Sequence, residues 1–403
     1  MSITRGATGT VTRRRTRGTR EGAPPPPPQS APGVAQPYPL LLATTGALVT
    51  VGLVMILSAS SVEAFTRYGS SFVYFKRQVL GAGLGLVAML ALARFDYRRL
   101  RPAARPLLTL VLLLMVAVLI PGVGLSRGGS SRWIPLGPVT LQPSELAKLA
   151  LVVFAAHVLE AKRDRILDPR ELTVPVMPMT GLVALLVVVQ PDLGTALICT
   201  GSALVVMYLA GARPRHLAAI VGGGALLLFP VIALEGYRRA RLFSFLRPWS
   251  DPLNTGYQFI QGQIALGSGG WLGVGLGASR QKWSYVPSAH TDFIFAILGE
   301  ELGLAGTIAV LALFAFVVYL GIRVARSAPD RFGCLLAGGI TGWIGMQAAI
   351  NMGTVTGLLP ITGVPLPLIS YGSSSLVVTM AGIGILLSIA RRARGSRAVS
   401  ATL

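Results

Sequence analysis

Residues 40–60 read LLLATTGALVTVGLVMILSAS, without a single charge. A helix needs about 20 apolar residues to cross the hydrocarbon of a bilayer. Such a run folds as a helix because lipid offers no partner for a free amide or carbonyl. Nine similar runs follow, at about 78–95, 106–122, 143–160, 173–190, 193–211, 217–235, 293–322, 333–352 and 372–390. The eighth is long enough for its first part to lie outside the hydrocarbon or to line a cavity. The expected fold is an all-α polytopic membrane protein with about ten transmembrane helices.

Composition supports this reading. Of 403 residues, 52% are hydrophobic and 13% charged, with a mean hydropathy of +0.65. Soluble domains are about 25% charged, so this chain cannot hide its apolar residues in one water-soluble core. The net charge of +21 comes from 36 Lys+Arg against 15 Asp+Glu. The basic residues cluster between apolar runs, which points to anionic lipid rather than nucleic acid. Cys199 and Cys334 lie inside apolar runs and give no disulfide framework. His157, His216 and His290 have no metal-binding spacing.

Charge also gives an expected orientation. Basic residues crowd alternate connections, at 94–105, 162–170, 213–215 and 323–331, and the end at 391–397. With the arginine-rich tail, these fall on one side, so both termini are expected in the cytoplasm. Residues 1–37 form a basic, Pro-rich tail with no visible signal peptide, expected to be disordered. Residues 38–392 form the membrane domain and 393–403 a basic cytoplasmic tail. The outward connections then include 61–77, 123–142, 190–192, 353–371 and one large extracytoplasmic segment, 236–292.

The acids are few, so their positions inform. Glu145 and Lys148 stand three apart at the start of the fourth run and share a helix face. At that depth they are read as an ion pair or as the wall of a polar cavity. Asp192, after Pro191, reads as the cap of the sixth helix. Asp292 lies where the long outer segment re-enters the membrane, beside His290 and Thr291, as a cap or as a base.

Six stretches carry a resemblance. They are Arg132 to Gly137, Gln142 to Lys148, Gln190 to Thr195, Gly256-Tyr257-Gln258 with Gln261, Ala289 to Gly303, and Gly363 to Gly372. In this order the chain resembles the shape, elongation, division and sporulation family, typified by FtsW and RodA. Tyr285-Val286-Pro287 and the run Thr356 to Gly363 are similar to the FtsW branch. Two positions depart from the family pattern: Ser288 stands where a Glu is usual, and Ser373 where a Gly is usual.

The resemblance implies a peptidoglycan glycosyltransferase that polymerises lipid II into β-1,4 glycan during septal wall synthesis. It would work at the outer face of the bacterial cytoplasmic membrane, at the division septum. Asp292 matches the catalytic aspartate. An inverting displacement needs a base for the attacking hydroxyl, whereas a diphosphate leaves without an acid. Glu145 and Lys148 would line the cavity, while Arg132, Trp133, Gln142, Ser144, Gln258, His290, Thr291 and Ser370 would bind or position substrate. Cations for the leaving group are sought among Arg132, Lys148, Arg238, Arg239, Arg241 and Lys282. A divalent cation, Mg or Mn, could do the same work, although no closed metal cage is visible. Expected partners are lipid II, undecaprenyl-linked glycan, a class B penicillin-binding transpeptidase of FtsI type, other divisome membrane proteins and anionic lipid. No nucleic acid is expected. The rival readings are a lipid II flippase and a non-catalytic scaffold that recruits a transpeptidase.

Overall fold

The computed structural model describes residues 36–127, 130–137, 139–162, 169–234, 236, 245–283 and 285–402. Arg238, Arg239, Arg241 and the tail up to residue 35 lie outside them.

Each expected run falls on a long helix. In chain order these are α1 (Pro37–Tyr68), α2 (Val73–Arg94), α3 (Leu100–Ala117), α4 (Pro143–Ala161), α5 (Pro169–Val189), α6 (Leu193–Ala210) and α7 (Pro214–Leu234). After a short α8 (Tyr257–Ser268) come α9 (Ile294–Arg326), α10 (Arg331–Val355) and α11 (Ser373–Thr402). Among the described residues, eight of these are long and apolar enough to cross a membrane. Helix α4 stands outside that group; it carries Glu145, Lys148 and Glu160 and is buried on almost every face. A helix enclosed by other helices need not match lipid.

Helix ends differ from the apolar runs. Hydropathy marks the apolar part of a helix, not its caps. Helix α1 runs on to Tyr68, where Gly69 adopts φ 69° and closes it. Helix α2 begins at Val73, so the expected connection 61–77 is largely helical. Helix α11 continues to Thr402, into the residues read as the basic C-terminal tail.

The all-α expectation needs one addition. The connection 123–142 forms an antiparallel meander of β1 (Leu125–Arg127), β2 (Ser130–Leu136) and β3 (Val139–Leu141). Ile134 pairs with Leu141 and Leu136 with Val139 across a turn at Gly137, whose φ is 66°. Two three-residue strands flanking a seven-residue one that contains Pro135 carry too little alternation to announce a sheet.

The helices alternate between two ends. At one end the basic connections meet. Asp330 caps α10 through the Gly333 amide at 2.8 Å and contacts Arg98 at 2.8 Å and Arg101 at 3.2 Å. Arg392 of α11 pairs with Asp96 at 3.0 Å. The interior is apolar and continuous, with α11 packed along α2 and α10 packed against α6 and α9.

Helix α9 is broken. Gly303 has φ 66° and ψ −164°. The loop after α8 fills the gap in the hydrogen-bond ladder. The amides of Val274 and Gly275 donate to the carbonyls of Glu300 and Glu301, at 2.9 and 3.1 Å. The amides of Leu304 and Ala305 donate to Gly270 and Trp271, at 2.9 and 3.1 Å. The Glu300 carboxylate accepts from Ser279 Oγ at 2.5 Å and from the Arg280 amide at 2.9 Å. Irregular backbone inside such a bundle persists only where protein satisfies it. The first part of the long eighth run, from Ile294 up to the break at Gly303, is thus a separate buried piece of about two and a half turns that anchors the outer loop.

Candidate active site

At the end opposite the basic connections, a cavity of about 460 Å³ opens between α1, α2, the meander, the start of α4, the start of α6 and the segment before α11. Its wall includes Asp292, His290, Thr291, Glu145, Arg132, Trp133 and Gln142. Seven of the residues expected at the site therefore meet on one surface, although they come from three separate stretches of chain.

The backbone around Asp292 is pinned from several elements. Asn351 of α10 donates its side-chain amide to the Asp292 carbonyl at 2.8 Å. Ser370 Oγ donates to the Thr291 carbonyl at 2.7 Å, and the Tyr371 amide to the His290 carbonyl at 3.0 Å. Gln258 of α8 donates to the Pro287 carbonyl at 3.1 Å. Ser288 turns the chain with φ 57°, and its carbonyl accepts from the Thr291 amide at 3.0 Å. A half-buried carboxylate at the head of a helix, on a loop whose backbone is held at this many points, suits proton transfer.

Four residues expected to touch substrate stand behind this wall. Lys148 is fully buried; its Nζ lies 2.7 Å from Glu145 Oε2 and 2.9 Å from Gln347 Oε1. Its ammonium also sits 5.2 Å from the Trp343 ring centre. A buried ammonium needs such partners, and they draw it away from the cavity. Ser144 is buried and accepts from Gln142 Nε2 at 3.1 Å. Gln258 and Ser370 spend their polar atoms on the backbone that carries Asp292, as described above. Lys282, sought as a cation for the leaving group, lies 3.8 Å from Glu301 at the break in α9.

Asp192 fills two roles. Its Oδ1 accepts from the Thr195 amide at 3.0 Å, capping α6 as expected. Its Oδ2 faces Arg132 Nη1 at 3.6 Å. Arg132 also donates from Nε to the Gln190 carbonyl at 2.6 Å and from Nη2 to the Pro191 carbonyl. The meander is thereby tied to the start of α6.

Several wall residues are not among those expected at the site: Glu63 and Arg67 of α1, Tyr74 and Arg77 of α2, Ser374 and Ser375, together with Tyr371 and Ser373, which the sequence marks only as part of the resemblance. Glu63 Oε2 lies 3.1 Å from His290 Nδ1, and Glu63 Oε1 lies 3.4 Å from Arg67. The His290 ring stacks on Tyr74 at 4.8 Å and tilts against Tyr371 at 5.5 Å. Ser288, where the resemblance expects a Glu, lines the same wall. The same wall holds a carboxylate from α1, Glu63. One sequence signal was available: Glu63 and Arg67 are an i,i+4 pair at the end of an apolar run.

Among the described residues, no group of three or more His, Cys, Asp or Glu side chains is placed to hold a metal ion.

Comparison with known proteins follows the same lines. The family model described as cell cycle protein, covering FtsW, RodA and SpoVE, matches residues 39–395. A probable peptidoglycan glycosyltransferase FtsW of Geobacter metallireducens is 44% identical over 89% of this chain and 95% of its own. Stage V sporulation protein E of Bacillus subtilis is 43% identical over 88% of this chain and 97% of its own. The crystal structure of Thermus thermophilus rod shape determining protein RodA superposes with a TM-score of 0.65 at 32% identity, covering 89% of this chain and 97% of that one. A chain from a peptidoglycan synthase complex, solved to show how polymerization and crosslinking are coordinated, reaches a TM-score of 0.73 at 32% identity, covering 90% and 99%.

Proposed function

The chain belongs to the FtsW, RodA and SpoVE family of cell cycle proteins, and from that premise we propose that it polymerises lipid II into β-1,4 glycan strands during septal wall synthesis. It is a multi-pass membrane protein and a peptidoglycan glycosyltransferase. The observation that carries the mechanism is Asp292 on the wall of a polar cavity, in a segment fixed by α8, α10 and the strap 370–371.

The 4-hydroxyl of one lipid-linked sugar attacks the anomeric carbon of another chain. Asp292 takes the hydroxyl proton as the new carbon–oxygen bond forms. The bond from that carbon to the diphosphate oxygen breaks, and its electron pair leaves with undecaprenyl diphosphate. Attack from the face opposite the leaving group inverts the centre and gives the β linkage. No second carboxylate has to act as an acid, because the diphosphate departs as an anion. This differs from cleavage of a sugar–sugar bond. Glu145 lines the floor of the cavity, and Lys148 holds it there.

The cavity end faces outward from the bacterial cytoplasmic membrane, and the basic end faces the cytoplasm and its anionic lipid. The partner is a class B penicillin-binding transpeptidase of FtsI type, alongside other divisome membrane proteins. This is supported by the solved relative that belongs to a peptidoglycan synthase complex.

The test is to purify the chain with and without such a transpeptidase, supply labelled lipid II, and resolve the products on a gel. Glycan strands support the polymerase. Lipid II that moves between leaflets of a vesicle without strands would favour a flippase. Neither activity, beside a working reference polymerase and with the transpeptidase still bound, would favour a scaffold.

A further inference from the structure

Three guanidinium groups line the cavity among the described residues: Arg67, Arg77 and Arg132. Two are already engaged. Arg132 is held by the Gln190 and Pro191 carbonyls and faces Asp192 at 3.6 Å. Arg67 faces Glu63 at 3.4 Å. Arg77 differs. Its guanidinium lies 5.7 Å from the centre of the Tyr68 ring and meets no carboxylate within ion-pair distance among the described residues. An aromatic face holds a guanidinium in place without neutralising it or occupying its N–H donors.

Arg77 is also fixed relative to Asp292. The neighbouring Gln78 is buried; its Nε2 donates to the Ser370 carbonyl at 3.2 Å, and its Oε1 accepts from the Gly372 amide at 3.1 Å. Ser373 Oγ donates to the Arg77 carbonyl at 3.4 Å. The same strap, through Ser370 Oγ and the Tyr371 amide, holds the carbonyls of Thr291 and His290. One short segment therefore ties the backbone that carries Asp292 to the backbone that carries Arg77.

We infer that Arg77 binds the diphosphate of the lipid-linked substrate and steadies it as it leaves. This rests on the polymerase reading above and names the residue that reading lacks. The Arg fork matches two phosphate oxygens at once. A cation fixed in place before reaction is of most use where negative charge grows, here on the oxygen released from the anomeric carbon.

The test measures binding of undecaprenyl diphosphate and of undecaprenol, which lacks the charge, to the purified full chain. Arg77→Gln and Arg77→Lys are compared with wild type. Lys76→Gln removes the same charge one residue away, on an exposed side chain outside the cavity. Wild type should prefer the diphosphate roughly tenfold to a hundredfold, the range of a hydrogen-bonded charge. Arg77→Gln should lose most of that preference, and Lys76→Gln should keep it. Arg77→Lys keeps the charge but not the fork, so it should bind several-fold more weakly. If Arg77→Gln does not fold, Arg77→Lys decides, and an unchanged affinity overturns the assignment. A full preference in Arg77→Gln, or an equal loss in Lys76→Gln, also overturns it. A wild type that selects the diphosphate through Arg77 yet forms no strands supports this site and counts against the polymerase. Strands from wild type with a preference indifferent to Arg77 overturn this site alone.

Discussion

Glu63 Oε2 stands 3.1 Å from His290 Nδ1, joining the end of α1 to the loop that carries Asp292 two residues later. His290 is buried between Tyr74 and Tyr371, so Glu63 is the carboxylate that meets its open edge. Glu63→Gln keeps the shape and removes the charge. Small displacements next to a reacting group cost up to about a hundredfold in rate. The variant should lower the rate of strand formation about tenfold with little change in melting temperature. Single-turnover polymerisation beside a thermal melt checks this, and an unchanged rate would show that the contact is idle.

The Glu145–Lys148 pair is almost wholly buried. Removing one partner strands the other charge, at a cost of about 3–5 kcal/mol. Lys148→Met should therefore unfold the protein at a markedly lower temperature. Glu145→Gln with Lys148→Met leaves no charge behind and should recover much of the loss. A double variant no better than Lys148→Met would contradict the pairing.

Gly303 sits at φ 66°, and a Cβ placed there would lie 2.3 Å from the Gly273 amide nitrogen. Left-handed backbone costs a non-glycine residue about 1–3 kcal/mol before any clash is counted. Gly303→Ala should loosen the loop 269–283 from α9. Faster amide exchange at Val274 and Leu304 would register it.

At the basic end, burial pushes the Asp330 carboxyl up, but Tyr97, the Gly333 amide, Arg98 and Arg101 outweigh it and hold the group below its ordinary range. A carboxylate lowered in the folded state adds stability above its unfolded pKa, about 3.9, and loses that contribution as pH falls through its lower folded value. Wild type should lose stability over that acid range more steeply than Asp330→Asn. At neutral pH the variant should be weaker by about 1 kcal/mol, the worth of a helix cap. Melts at several pH values test both.

Much of this was legible in the chain. The apolar runs located every long helix, because lipid imposes one solution on them. The Asp192 cap and the Glu145–Lys148 pair followed from local spacing. The helix ends at Tyr68 and Val73 did not, since polar residues continue a helix past its apolar part. Nor did the meander at 125–141. The wall residues Glu63, Tyr74, Arg77 and Tyr371 come from distant parts of the sequence and meet only through packing. Lys148, Gln258 and Ser370 were found as polar residues in the right stretches. Their direction, inward to Glu145 and Gln347 or onto the backbone of 287–291, is a property of the folded chain.

The most direct measurement compares wild type with Asp292→Asn on labelled lipid II, with the transpeptidase partner present and matched thermal melts. The amide keeps the size of the side chain and cannot take the hydroxyl proton at neutral pH. Losing a general base typically costs about 100-fold to 10,000-fold. The account predicts strands from wild type, at least about a hundredfold fewer from Asp292→Asn, and closely similar melting temperatures. Equal strand formation by a folded Asp292→Asn would contradict it and move the base to another carboxylate of the cavity.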